Sequence, residues 1–129
     1  MLGMDRMYEI VLKTSARQED ALVARMAVSG LGLLAGLDAD TIGDLQTVVN
    51  ECMDCLIHQP VKPENLELRG WVEDQKLRLR FEALGNAGQA DENPLDLEVV
   101  RGILETLMPE VELCSDGRGV CSIACSIAV

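Results

Sequence analysis

The fold of this chain is decided by residues 66–83, which read LELRGWVEDQKLRLRFEA. Apolar residues alternate with charged ones on both sides of Glu73-Asp74-Gln75, and a period of two is typical of strands that bury one face. Because only three polar residues separate the two alternating runs, the chain must reverse there. The segment therefore predicts an antiparallel hairpin with strands at residues 66–72 and 76–83.

Upstream of this hairpin, the sequence predicts a strand and a helix. Tyr8, Ile10 and Leu12 recur at every second position and indicate the strand. The helix should end near Gly36. Its core-facing side is predicted from the apolar residues that recur at helical spacing: Leu22, Met26, Gly30 and Leu33, with Val23, Ala27 and Leu34 beside them.

A second helix follows, and either Asp38 or Asp40 is suited to begin it. His58-Gln59-Pro60 should end it, because proline cannot continue a helix. Spacings of three and four residues define its predicted apolar face: Ile42, Leu45, Val49, Cys52 and Leu56.

The downstream part of the chain predicts a polar loop over residues 85–93, a third helix with Pro94 in its first turn, and a final hairpin. The strands of that hairpin are expected at residues 111–114 and 120–127. Helices that interrupt runs of adjacent strands imply an α+β fold. We expect one domain over residues 1–129, a two-layer sandwich whose mixed, mostly antiparallel sheet carries three helices on one face.

The composition argues against several classes of function. The 129 residues include 11 basic and 22 acidic ones, which gives a net charge of −11. Phosphate backbones repel such a chain, so nucleic-acid binding is not expected. No apolar run approaches the ~18 residues of a membrane helix, and residues 1–6 have no signal-peptide pattern. Five cysteines, an odd number, fit reduced thiols, and we expect a cytoplasmic protein.

Three segments in register resemble the anti-sigma-factor serine kinases of the GHKL ATPase superfamily. They are residues 24–30 (ARMAVSG), 42–55 (IGDLQTVVNECMDC) and 104–111 (LETLMPEV), and the order of elements matches over nearly the whole chain. The resemblance implies a Bergerat-type sandwich that binds ATP and Mg²⁺ and forms a homodimer. It also implies a protein that holds a sigma factor inactive and phosphorylates a serine of an anti-anti-sigma partner.

The first nucleotide-binding motif of that family is a glutamate followed four residues later by an asparagine. The resemblance makes Glu51 the general base, whereas Cys55 replaces the asparagine that would bind Mg²⁺. A thiol is a poor ligand for this hard cation, which prefers oxygen. Glu51 is therefore either a residual catalytic base or an ordinary solvated glutamate, and no metal site is expected.

The other two nucleotide-binding motifs are also altered. The resemblance makes Gly85 and Asn86 cofactor-binding residues, but Ala83 stands where the family has an adenine-binding aspartate. The phosphate-binding glycines are missing from residues 97–101, and the loop from Gly85 to Pro94 is shorter than the family's nucleotide lid. We expect no cofactor, and ATP with Mg²⁺ only if these altered motifs still function.

The leading hypothesis is therefore an anti-sigma-factor-like regulator that acts by protein binding in a partner-switching circuit. Its partners would be a sigma factor, an anti-anti-sigma protein or both, together with a second copy of the chain. The resemblance makes Arg25 a partner-binding residue, and the alternative is an ordinary exposed arginine.

Two further hypotheses remain open. The first is an active protein serine kinase with Glu51 as the base and Asp54 as a substitute metal ligand. The second is a small-molecule or metal sensor that uses Cys52, Cys55 and His58, because Cys-x-x-Cys spacing suits redox or zinc chemistry.

Overall fold

A computed structural model describes residues 6–89, 96–117 and 119–129. The order of elements is the predicted one: strand, two helices, two strands, helix, two strands. The strands are β1 (Met7–Ser15), β2 (Asn65–Glu73), β3 (Lys76–Leu84), β4 (Glu110–Asp116) and β5 (Gly119–Ala128). The helices are α1 (Ala21–Leu34), α2 (Ala39–Ile57) and α3 (Leu97–Leu107), and a short 3₁₀ turn (Gln18–Asp20) precedes α1.

The predicted central hairpin is confirmed. β2 pairs with β3 in register from Asn65 opposite Leu84 to Glu73 opposite Lys76. Asp74 and Gln75 both have positive φ, 55° and 60°, the backbone of a two-residue type I′ turn that matches the twist of the strands. The strands lie in the order β1-β2-β3-β5-β4, and each of the four pairs is antiparallel. The described strands therefore include no parallel pair, and the sheet is antiparallel rather than mixed.

The three helices cover one face of this sheet, which confirms the two-layer α+β arrangement. Helix α1 packs on β1 and β2, α2 on β3 and β5, and α3 on β4. Buried residues of both layers form one hydrophobic cluster. Its largest fully buried members are Phe81, Leu31, Leu45, Met53, Leu56, Leu77, Leu79, Leu104, Met108 and Ile123.

The helix starts in this structure have visible causes. Asp38, rather than Asp40, caps α2, and its side chain accepts a hydrogen bond from Thr41 N at 2.8 Å. Hydrogen bonding from the Thr41 side chain, together with this backbone bond, lowers the pKa of the Asp38 carboxyl. Asp96 caps α3 by accepting from Glu98 N at 3.0 Å. Pro94 and the end of the predicted polar loop lie outside the described residues. Among those that are described, no helix is both long enough and apolar enough to cross a membrane.

The predicted buried face of α1 is wrong. Gly30 is exposed and Ala27 half-buried, and the five large apolar residues of the predicted stripe are all more than half exposed: Leu22, Val23, Met26, Leu33 and Leu34. The face that contacts the sheet and α2 is the opposite one, made mainly of small residues: Ala21, Ala24, Val28, Leu31 and Gly32. The small side chains let the helix lie close to the sheet, where a Cβ on Gly70 would stand 2.8 Å from Leu31 Cδ2.

Two glycine-to-alanine substitutions test this packing with opposite expected signs. Gly70→Ala should lower the free energy of unfolding by ~1–3 kcal/mol, because its methyl group overpacks the contact with Leu31, Leu79 and Ile10. Gly30→Ala should raise it by ~0.5–1 kcal/mol, because nothing lies within 4 Å of a Cβ there and alanine is the better helix former. Urea unfolding measures both changes in the free energy of unfolding, provided that the m-value is unchanged. A Gly70→Ala protein as stable as wild type would contradict the close approach of α1 to the sheet.

Candidate functional site

Glu51, which the resemblance makes a catalytic base, lies on helix α2. Glu51 is half-buried on α2 and makes no hydrogen bond or ion pair with a described residue. One turn further along, Asp54 and His58 face each other, with 3.0 Å between Asp54 Oδ1 and His58 Nδ1. A carboxylate on a half-buried helix face suits a base in principle, and its charge acts on the thiols of Cys52 and Cys55.

Cys55, four residues after Glu51, belongs to the core. Its side chain is fully buried, and Gln59 Nε2 donates to Cys55 O at 2.8 Å. Gln59 is itself 5% exposed, and its Oε1 accepts from Val120 N at 2.9 Å. One glutamine thus ties the end of α2 to the start of β5. A Cβ on Gly119 would come within 2.6 Å of Gln59 Oε1, so this contact is tightly packed.

The chemistry of the two α2 thiols follows from their burial. Burial, with the carboxylates of Asp54 and Glu51, raises the pKa of the Cys55 thiol to about 11. Burial raises the pKa of Cys52 well above its usual value, and the neighbouring thiol of Cys125 adds to the effect. Both residues are neutral thiols at physiological pH, which makes them weak nucleophiles and weak ligands.

The thiols and His58 do not form a metal site. No group of three or more His, Cys, Asp or Glu residues within 6–89, 96–117 and 119–129 is arranged to hold a metal ion. His58 lies against Asp54, whereas Cys52 and Cys55 are directed into the hydrophobic cluster. These three side chains therefore do not share one face, as the sensor hypothesis requires.

Gly85 and Asn86 lie in a loop that closes on the segment before β2. Gly85 has φ +79°, and the Glu64 side chain occupies the space that a Cβ would need. Asn86 N donates to Glu64 Oε1 at 3.2 Å, and Asn86 Oδ1 accepts from Gly88 N at 2.8 Å. These contacts give both residues a structural role in holding two loops together.

The space beside that loop is small. A cavity of about 10 Å³ lies between the end of α2, the loop and the start of β5, with Ala83 and Gly85 in its lining. Such a volume holds at most a single water molecule. The rest of the predicted polar loop, residues 90–93, lies outside the described residues.

The start of α3 is also unlike a phosphate site. A helix N-terminus binds anions through its free backbone N–H groups. Here the Asp96 carboxylate accepts the N–H of Glu98, and Glu98 adds a second negative charge in the first turn. The start of α3, where the sequence lacks phosphate-binding glycines, therefore carries two carboxylates.

Arg25, the predicted partner-binding residue, is half-buried between α1 and α2. Its Nη1 donates to Asn50 Oδ1 at 2.7 Å. A second bond joins the two helices where Gln46 Nε2 donates to Ser29 Oγ at 2.9 Å. Arg25 thus ties the two helices together, and a role for it in partner binding stays a prediction.

The feature that sequence reasoning missed is the outward side of α1, which we call the α1 apolar face. It consists of Leu22, Val23, Met26, Gly30, Leu33 and Leu34. At 100° per residue these six positions fall within an arc of about 120°. The five large side chains are 52–67% exposed. Together they present on the order of 600 Å² of apolar surface, at the upper end of the largest patch on an ordinary monomer.

The α1 apolar face carries no charge. Arg25 is the one charged residue between Ala21 and Leu37, and it lies outside the arc, toward α2. An uncharged patch of this size on a chain with a net charge of −11 is unusual. Surfaces of this kind mark protein-binding sites more often than catalytic ones.

Comparison with models of known protein families finds no match, and a search of curated proteins finds no relative. The family resemblance therefore rests on the three sequence segments alone.

Native-state thiol labelling tests the chemistry assigned to the cysteines. With iodoacetamide at pH 8, Cys114 should react readily because it is exposed, whereas Cys52 and Cys55 should react only after unfolding, because they are buried and neutral. Mass spectrometry of tryptic peptides gives the rate at each site. Labelling of Cys52 or Cys55 as fast as Cys114 in the folded protein would restore the redox hypothesis.

Proposed function

We propose that this protein is an anti-sigma-factor-like regulator that acts by binding other proteins in a partner-switching circuit of a bacterial cytoplasm. The observation that carries the proposal is the α1 apolar face, which has no intramolecular partner among the described residues. The family resemblance supplies the class of partner, a sigma factor or an anti-anti-sigma protein.

The surface chemistry supports a protein as the ligand of this face. Desolvation of apolar surface drives association, and here no charge opposes it. Gly30 lies in the middle of the arc and leaves a shallow gap between Met26 on one side and Leu33 and Leu34 on the other. A helix of a partner with its own apolar stripe fits such a surface, with side chains entering the gap.

The neighbouring edge of the sheet adds a second element to the surface. β1 is an edge strand, paired only with β2, and α1 packs against it. Met7, Tyr8 and Val11 on this strand are 43–54% exposed. An edge strand with exposed apolar side chains offers both backbone hydrogen bonds and apolar area to a partner.

The kinase alternative has less support from the geometry. Cys55 is a buried neutral thiol in place of an oxygen ligand, and Gln59 fills the adjoining space. The Asp96 and Glu98 carboxylates lie where a triphosphate would need backbone N–H groups. Both features favour a function that does not depend on nucleotide.

A charge placed on the α1 apolar face should abolish partner binding. Met26→Glu puts a carboxylate in the centre of the arc, and burying it in an interface should raise the Kd for the partner by at least about tenfold. The assay is capture of each sigma factor and anti-anti-sigma protein of the host, followed by calorimetry with those that bind.

Val99→Glu is the matched control, because Val99 is 56% exposed on α3 and lies outside the α1 apolar face. The proposal predicts binding by wild type and by the Val99→Glu protein, and loss in the Met26→Glu protein. It is contradicted if neither class of partner binds wild type, or if Met26→Glu binds as tightly as wild type.

A further inference from the structure

The sheet face turned away from the helices contains a trough of about 580 Å³. One row across four strands locates it: Trp71 pairs with Arg78, Arg78 with Ser126, and Ser126 with Glu110. Their neighbours along the strands, such as Val72 and Leu77, belong to the hydrophobic cluster under the helices. Because successive residues of a strand point to opposite faces, the row lies on the outer face.

The trough has walls of opposite charge. In the next row, Arg80 of β3 pairs with Ala124 of β5, and Ala124 pairs with Glu112 of β4. Arginines thus lie along β3, small residues form the floor on β5, and glutamates lie along β4. The two walls are two strand spacings apart, about 10 Å, which leaves room for one layer of ligand between them.

The cationic side holds two donors without acceptors. Trp71 Nε1 and Arg78 Nε are both buried, and neither has a hydrogen-bond partner in the described parts of the chain. Trp71 is only 9% exposed, and Arg78 Nε forms an ion pair with Glu73 Oε1 at 3.7 Å, which is beyond hydrogen-bond distance. A buried donor without an acceptor is costly, so an acceptor supplied by a ligand would be bound favourably here.

The glutamates of β4 differ in how far neighbouring groups neutralise them. Lys76 Nζ and Ser126 Oγ already donate to Glu110 Oε1, at 2.6 and 2.7 Å, and the bond from Lys76 lowers the pKa of this carboxyl. Glu112 accepts only a weak bond from the Cys114 thiol at 3.6 Å.

We propose that this trough binds a dipolar small molecule, a carboxylate-bearing compound with a basic group, of about the size of a dipeptide. Its carboxylate accepts hydrogen bonds from Trp71 and Arg78, and its cationic end lies against Glu112. The volume is within the ~300–1,000 Å³ of small-molecule sites. Because positive and negative side chains lie on opposite sides of β5, the trough should bind such a ligand better than a simple anion or cation.

Tryptophan fluorescence tests the proposal directly, because Trp71 is the only tryptophan of the chain. The probes are the dipeptide Ala-Lys, the same dipeptide with a C-terminal amide, and N-acetyl-Ala-Glu, which has no basic group. Saturable change of Trp71 emission is expected with Ala-Lys, with at least about tenfold weaker binding of the other two. Equal responses to all three, or no response to Ala-Lys at 10 mM, would overturn the proposal.

Two variants and two controls locate the site. Arg78→Gln and Glu112→Gln should each raise the Kd for Ala-Lys by about tenfold or more, because each removes one end of the charge pair. Lys62→Gln and Glu98→Gln make the same changes of charge at exposed positions outside the trough and should leave the Kd unchanged. If neither trough variant changes the Kd for Ala-Lys, the location of the site is wrong. If a variant fails to fold, the three probes measured on the wild-type protein still test whether the trough binds a dipolar ligand.

Discussion

The close approach of α1 to the sheet is the constraint on which the rest of the structure depends. Ala21, Ala24 and Val28 form a thin contact surface, and Gly70 removes the side chain that would otherwise hold Leu31 away. A helix that packs through its small residues must turn its large ones outward. The α1 apolar face is therefore a direct consequence of how the sandwich closes.

The same sandwich explains why the outer sheet face is also available. All three helices lie on one side, so the strands alternate between core residues below and charged or small residues above. Along β5 the upper positions are Ser122, Ala124 and Ser126, which are too short to fill the space between the longer side chains of β3 and β4. The trough follows from strand order, because β5 lies between the arginine-bearing and the glutamate-bearing strand.

Much of the fold was predictable from sequence, because its strands alternate cleanly and the central turn is short. The α1 contact was not, because almost every residue of that helix is apolar or small, and helical periodicity cannot choose between two apolar faces. The sequence of α1 did contain one indication of its buried face, because alanine and glycine cluster on the side that lies against the sheet and α2. The substitution at Cys55 was visible in the sequence, but the bridge made by Gln59 to Val120 joins residues 61 positions apart and needed the structure. The trough likewise depends on strand register, which the sequence alone does not supply.

The central claim is that this scaffold works by protein binding and not through nucleotide. Isothermal titration of the purified protein with Mg-ATP, with ADP alongside, tests it most directly, since a GHKL-type kinase must bind nucleotide to act. The account predicts no binding at millimolar nucleotide, because Cys55 replaces the Mg²⁺ ligand that the family resemblance implies and the Asp96 carboxylate lies at the start of α3. Micromolar binding of Mg-ATP would contradict it and would favour the kinase alternative.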